Sequence, residues 1–174
     1  NQLIDSSNVP LGPITSVNVP NLHRLELPAE ACVRNQPCAR VPTAYEIADA
    51  LCSVVQMGGK VARMYVLSHG NGAGFHISRN GQLQEEWFVA LDHVLALAAS
   101  LGVRLIIPFV NSNWYALWQT HAMYAEWLGG GEDASAFFHS RRQRDLFKTV
   151  LSDVLLRVNT INGRTYAQEP AILA

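Results

Sequence analysis

Residues 105–115 read Leu105-Ile106-Ile107-Pro108-Phe109-Val110-Asn111-Ser112-Asn113-Trp114-Tyr115. The first six are apolar and largely β-branched, in a run too short for an ordinary helix. The rest are amides and large aromatics. A buried parallel strand has this shape when it delivers polar and flat side chains to a site at its C-terminal end. Asparagine amides donate to and accept from hydroxyls, and a Trp or Tyr face lies against the apolar face of a sugar or base.

Working outward, the same punctuation recurs. A first core strand runs to about Val19 and ends in Asn18-Val19-Pro20-Asn21-Leu22-His23. Before it, residues 1–17 read as a hairpin and the entry to that strand, with Pro10, Gly12 and Pro13 in the turn. Thr43 and Glu46 are spaced as a capping box, followed by the apolar stripe Ile47, Leu51, Val54 and Val55 and the stop Gly58-Gly59. Val61 to Leu67 is the second strand, and a glycine-rich loop follows to Gly81. Trp87, Phe88, Leu91, Val94, Leu95, Ala98 and Leu101 mark a second helix that Gly102 ends. A third helix is expected from a Ser140/Gln143 capping box and the stripe Leu146, Phe147, Val150, Val154 and Val158. Residues 169–174 read as entry into a fourth strand, where the sequence stops.

Strands alternating with helices call for a parallel sheet with helical crossovers. Two architectures compete, a doubly wound sheet and a (β/α)₈ barrel. The first strand lacks the G-x-G-x-x-G turn of a dinucleotide site, which disfavours a nucleotide-binding α/β domain. Gly70-Asn71-Gly72-Ala73-Gly74 after the second strand reads as loop rather than phosphate cradle. A complete barrel takes about 250 residues, so 174 residues hold about four of its eight units, as a single incomplete domain over residues 1–174.

Composition limits the function. The chain is 49% hydrophobic and 16% charged, with a net charge of -1, which gives no electrostatic case for nucleic acid or an anionic membrane. No apolar stretch reaches the ~20 residues that span a bilayer. Arg141-Arg142-Gln143-Arg144 reads as a solvated helix face. The six histidines are scattered without metal-ligand spacing, so neither metal nor cofactor is expected. Cys32 and Cys38 flank a proline-containing loop and are a disulfide candidate; Cys52 reads as a buried thiol.

Strand ends are where function sits in either architecture. Alternation puts Val61, Arg63, Tyr65 and Leu67 on one face of the second strand. Arg63 is there either a structural or exposed cation, or one that orients an active-site carboxylate. Asn111, Asn113 and Trp114 are turn formers and core aromatics, or a sugar subsite. Asn18 and His23, at the first strand's end, are loop residues or substrate contacts. Glu126 and Trp127 read as surface and packing residues. The helical carboxylates Glu46, Asp49, Glu85, Glu86, Asp92, Asp145 and Asp153 face outward in a barrel, away from chemistry.

Four stretches carry a resemblance: residues 17–22 (Val-Asn-Val-Pro-Asn-Leu), 56–65 (Gln-Met-Gly-Gly-Lys-Val-Ala-Arg-Met-Tyr), 107–114 (Ile-Pro-Phe-Val-Asn-Ser-Asn-Trp), and 157–160 (Arg-Val-Asn-Thr) with 169–174 (Glu-Pro-Ala-Ile-Leu-Ala). In order and over nearly the whole chain, they resemble the first half of a family 5 glycoside hydrolase of the endo-β-1,4-mannanase-like branch. The resemblance implies a (β/α)₈ barrel, secretion, and retaining hydrolysis of a β-1,4-linked polysaccharide. That reaction uses two carboxyls about 5–5.5 Å apart. It also implies that both catalytic glutamates, after the fourth strand and at the seventh, fall outside these residues, so that no catalytic residue is expected here. The working unit would then include the C-terminal half of the barrel, in the same protein or a separate chain. Arg63 matches the family's strand-2 arginine, which holds the nucleophile. Asn111, Asn113 and Trp114 match the cleft lining, Tyr65 is a further contact, and Asn18 and His23 are weaker transfers. The competing reading is a carbohydrate-binding half barrel without chemistry.

Overall fold

The computed structural model describes residues 10, 14–32, 38–70, 74–111, 121–124 and 133–173. Its core is a parallel sheet of β1 (Ser16–Asn18), β4 (Val61–Arg63) and β7 (Arg104–Ile106), in that spatial order. The expected hairpin over residues 1–17 lies mostly outside the described residues. Between β1 and the first helix, β2 (Leu25–Glu26) pairs antiparallel with β3 (Ala39–Arg40). The Cys32–Cys38 disulfide closes the loop between them, with the two Cα atoms 5.0 Å apart. β5 (His69–Gly70) and β6 (Ile77–Ser78) form a short parallel ladder inside the loop that follows β4. The glycine-rich segment is thus partly ordered by strand pairing, with Gly70 packed so closely on Phe75 that a Cβ would meet the ring at 2.5 Å.

Each parallel neighbour is also the next core strand in sequence. Val17 registers with Ala62, and Ala62 with Leu105. The ladder then reaches the chain's last described segment, where the Leu105 N–H donates to Ala171 O at 2.6 Å and the Leu173 N–H to Leu105 O at 2.8 Å. No strand order reverses, so no doubly wound switch point exists among the described residues.

The crossovers are α1 (Ala44–Gln56), α2 (Glu85–Leu101) and α3 (Arg141–Leu156). Val17, Ala62, Met64, Leu105 and Ile107 pack in one core with Leu51, Val54, Leu91, Leu95, Val150 and Val154. The helices therefore cover one face of the sheet. The register rows alternate, so Asn18, Arg63 and Ile106 share the opposite face, and there Asn18 and Arg63 are exposed. One face covered by helices and one face open is the geometry of a barrel wall. The expected alternation holds from Ala62 to Val66, but Val61 and Leu67, placed on the open side, are buried; the Leu67 N–H donates to Pro108 O.

Helix ends follow local chemistry. At α1 the Thr43 hydroxyl accepts from the Glu46 N–H, the Glu46 carboxylate accepts from the Thr43 N–H, and Arg40 grips the same carboxylate at 2.6 and 2.8 Å. The Ser140/Gln143 box does not form; Gln143 is buried instead and the Ser140 side chain makes no cap bond. Val158 also falls outside α3, because the chain turns extended at Arg157. Gly102 ends α2 at φ 69°, with open space where a Cβ would point. Gly102→Ala is expected to lose about 1 kcal/mol, the left-handed penalty alone, read as a lower urea midpoint at unchanged slope.

Candidate functional site

The open face supplies the site. In register across it stand Asn18 on β1, Arg63 on β4 and Ile106 on β7. One step further toward the strand C-termini, Tyr65 is 42% exposed. Its peptide is gripped from the turn after β1: the Tyr65 N–H donates to Pro20 O at 3.1 Å, and Tyr65 O lies 3.0 Å from His23 Nε2. Asn111, half-buried beyond β7, accepts at its carbonyl from His121 Nδ1 at 3.0 Å. Asn113 and Trp114, with Glu126 and Trp127, lie outside the described residues. Asn18, Arg63 and Tyr65 are therefore brought to one mouth. A guanidinium there offers a planar fork for a carboxylate, and the amide and phenol offer donors and acceptors for hydroxyls.

His23 is a correction. It is fully buried, and both ring nitrogens meet protein atoms, Tyr65 O and His76 Nε2, each at 3.0 Å. It supports the mouth and does not line it. His76 is also fully buried, with Nδ1 2.9 Å from Ser68 Oγ and its ring against Trp87 and Phe88. Burial lowers His23 to about 4 and holds His76 well below its ordinary value; the neighbouring Arg24 pushes both the same way. A second contact of this kind joins the next loops: His69 Nδ1 donates to Leu67 O at 2.8 Å, and Nε2 accepts from the Tyr124 hydroxyl at 3.0 Å. Burial lowers His69 to about 4 and raises Tyr124.

Ser68, His76 and His23 have the connectivity of an activated nucleophile. Burial rules that out: Ser68 is 4% exposed and both imidazoles are fully enclosed. Among the described residues no group of three or more His, Cys, Asp or Glu is placed to hold a metal.

Asp92 is a second correction. On α2 it faces inward and is fully buried. It accepts from Arg157 Nη1 at 2.5 Å, the Tyr166 hydroxyl at 2.6 Å, and the Thr160 hydroxyl and N–H at 2.7 and 3.0 Å. Burial alone would raise its carboxyl, but these donors outweigh burial and hold it below its ordinary value. Arg157 also clasps Glu85 at 2.7 Å and lies over the Phe88 and Tyr166 rings. This knot ties α2 to the segment between α3 and the bridge that Ile172 makes to β7, behind the open face. Its sequence signal is helical spacing: Phe88, four before, and Leu95, three after, put Asp92 on the apolar face of α2.

A singly wound parallel sheet, helix-covered behind and polar at its strand C-termini in front, is a segment of a (β/α)₈ barrel. No protein-family model matches the chain. Mannan endo-1,4-β-mannosidase 2 of Oryza sativa subsp. japonica is 35% identical over 125 residues, 70% of this chain and 28% of that protein. Mannan endo-1,4-β-mannosidase 5 of Solanum lycopersicum is 30% identical over 137 residues, 75% and 32% respectively. The endo-β-1,4-mannanase of Thermotoga petrophila shares the fold at TM-score 0.66 and 24% identity, over 91% of this chain and 32% of its own. The family 5 mannosidase of Rhizomucor miehei does so at TM-score 0.62 and 19% identity, over 74% and 37%. Over about three quarters of its length the chain is similar in sequence to mannan endo-1,4-β-mannosidases, and its fold is that of part of the family 5 mannanases. It spans about a third of the length of the curated relatives it matches.

Proposed function

We propose that this chain is the N-terminal half, about four βα units, of a retaining glycoside hydrolase acting on a β-1,4-linked polysaccharide, mannan-like or β-glucan. The row Asn18–Arg63 beside Tyr65 on the open sheet face carries this reading. In it, Arg63 holds the nucleophile carboxylate supplied by the rest of the barrel, in the productive orientation and ionised. Asn18, Tyr65 and Asn111, with Asn113 and Trp114, hold the sugar. No cofactor takes part. The Cys32–Cys38 disulfide fits an oxidising, extracellular setting.

Two measurements test the proposal. Mannohexaose added to the 174-residue chain is expected to shift the amide signals of Asn18, Arg63, Tyr65 and Asn111. When the chain is joined to the remaining strands of a mannanase relative, β-mannan is expected to release reducing ends. In that barrel Arg63→Ala is expected to lower kcat about a hundredfold with KM little changed, the pattern of lost transition-state support. Sugar binding without hydrolysis of mannan or β-glucan would identify a carbohydrate-binding half barrel instead. Absence of sugar binding would sink both readings.

A further inference from the structure

The buried histidines form one directed set of hydrogen bonds behind the site. Tyr65 O is an acceptor only, so His23 Nε2 at 3.0 Å must bear the proton. A neutral His23 then has a bare Nδ1, so His76 Nε2 at 3.0 Å must be the donor to it. His76 Nδ1 is bare in turn and accepts from the Ser68 hydroxyl at 2.9 Å. The Ser68 oxygen accepts from the His76 N–H at 3.3 Å, which closes the set. Every tautomer is thus dictated, and the relay has one direction: Ser68 to His76 to His23 to the Tyr65 carbonyl.

We propose that His76 is a positioning residue: through His23 it locks the Tyr65 peptide and so fixes the rim on which Tyr65 meets the sugar. The sugar part rests on the function proposed above. The lock works because both groups holding the Tyr65 peptide come from the turn after β1, Pro20 as a fixed backbone acceptor and His23 as a side-chain donor that His76 aims. Those facing the pair are Ser68, Arg24, His69, Trp87 and Phe88. Arg24 is itself engaged, its Nε donating to Gly74 O and its Nη1 pairing with Glu26, each at 3.2 Å. Neutral imidazoles, lowered by burial, are what such a relay requires.

The test uses the 174-residue chain and ring ¹⁵N signals at neutral pH. Wild type is expected to show His23 and His76 each as a single Nε2–H tautomer. His76→Phe removes the aim, and Ser68→Ala removes the first donor with little change of volume should the Phe variant fail to fold. In either, His23 is expected to keep its Nε2–H, which Tyr65 O dictates, while the Tyr65 amide signal broadens and mannohexaose affinity falls roughly three- to tenfold, about one hydrogen bond. His76→Gln keeps a donor toward His23 and is expected to recover most of the affinity. A sharp, unshifted Tyr65 amide signal in the folded variants overturns the proposal, as does a broadened one with full sugar affinity. If wild type binds no mannohexaose, the functional reading fails, and the relay stands or falls on the tautomer and Tyr65 signals alone.

Discussion

Arg157→Ala is expected to destabilise the chain by about 3–5 kcal/mol, the cost of leaving one buried partner of an ion pair uncompensated. Asp92 has no exposed surface, and among the described residues Arg157 is its only charged partner. Tyr166 and Thr160 would still donate to it, yet none of these brings positive charge. The loss also releases Glu85, which is largely exposed and adds little. Arg157→Lys is expected to fall between wild type and Ala, because an ammonium keeps the charge and cannot span Asp92 and Glu85 in one plane. Urea unfolding at pH 7 reads the series, and an Ala variant within about 1 kcal/mol of wild type would contradict the role given to the pair.

Acid is expected to act through a different set of groups. His23 and His69 bind a proton near pH 4 in the fold and near pH 6.5 when unfolded. Between those values the unfolded chain holds more protons, so stability is complete above about pH 6.5 and falls as pH drops toward 4. Each histidine contributes up to about 3 kcal/mol of this loss. Together they approach the whole stability of an ordinary domain. A urea series from pH 7.5 to 4 is expected to show a midpoint that drops steeply below pH 6.5. The Asp92 carboxyl loses its advantage only at lower pH, as it protonates below its ordinary range. A flat midpoint from pH 7 to 4.5 would refute the assignment, and His69→Phe is expected to remove part of the slope.

The helices and the strand order were legible because each rests on near neighbours. Leu51, Leu91, Leu95 and Val154 repeat at helical spacing and are buried in the core. The Thr43/Glu46 cap lies within one turn. Arg63 and Asn18 were legible as strand-end residues, and register sets them side by side. What stayed hidden depends on partners far along the chain. His23 meets His76 across 53 positions, and Asp92 meets Arg157 across 65. A histidine or aspartate reads as polar in sequence, and only the fold shows that a specific donor or acceptor makes its burial affordable. Ser140 and Gln143 mislead for the converse reason: their spacing fits a cap, but tertiary packing draws Gln143 inside.

The strand order also carries a kinetic consequence. Each core strand pairs with its predecessor, so a chain leaving the ribosome can add one strand and helix at a time. Asp92 breaks that rule. Its guanidinium partner is synthesised 65 residues later, and until then α2 holds a carboxylate that cannot be buried without loss. The α2 layer therefore completes its packing only after Arg157 emerges. The knot thereby sets a checkpoint on assembly, with the segment around Ile172 joined to β7 as the buried charge is neutralised.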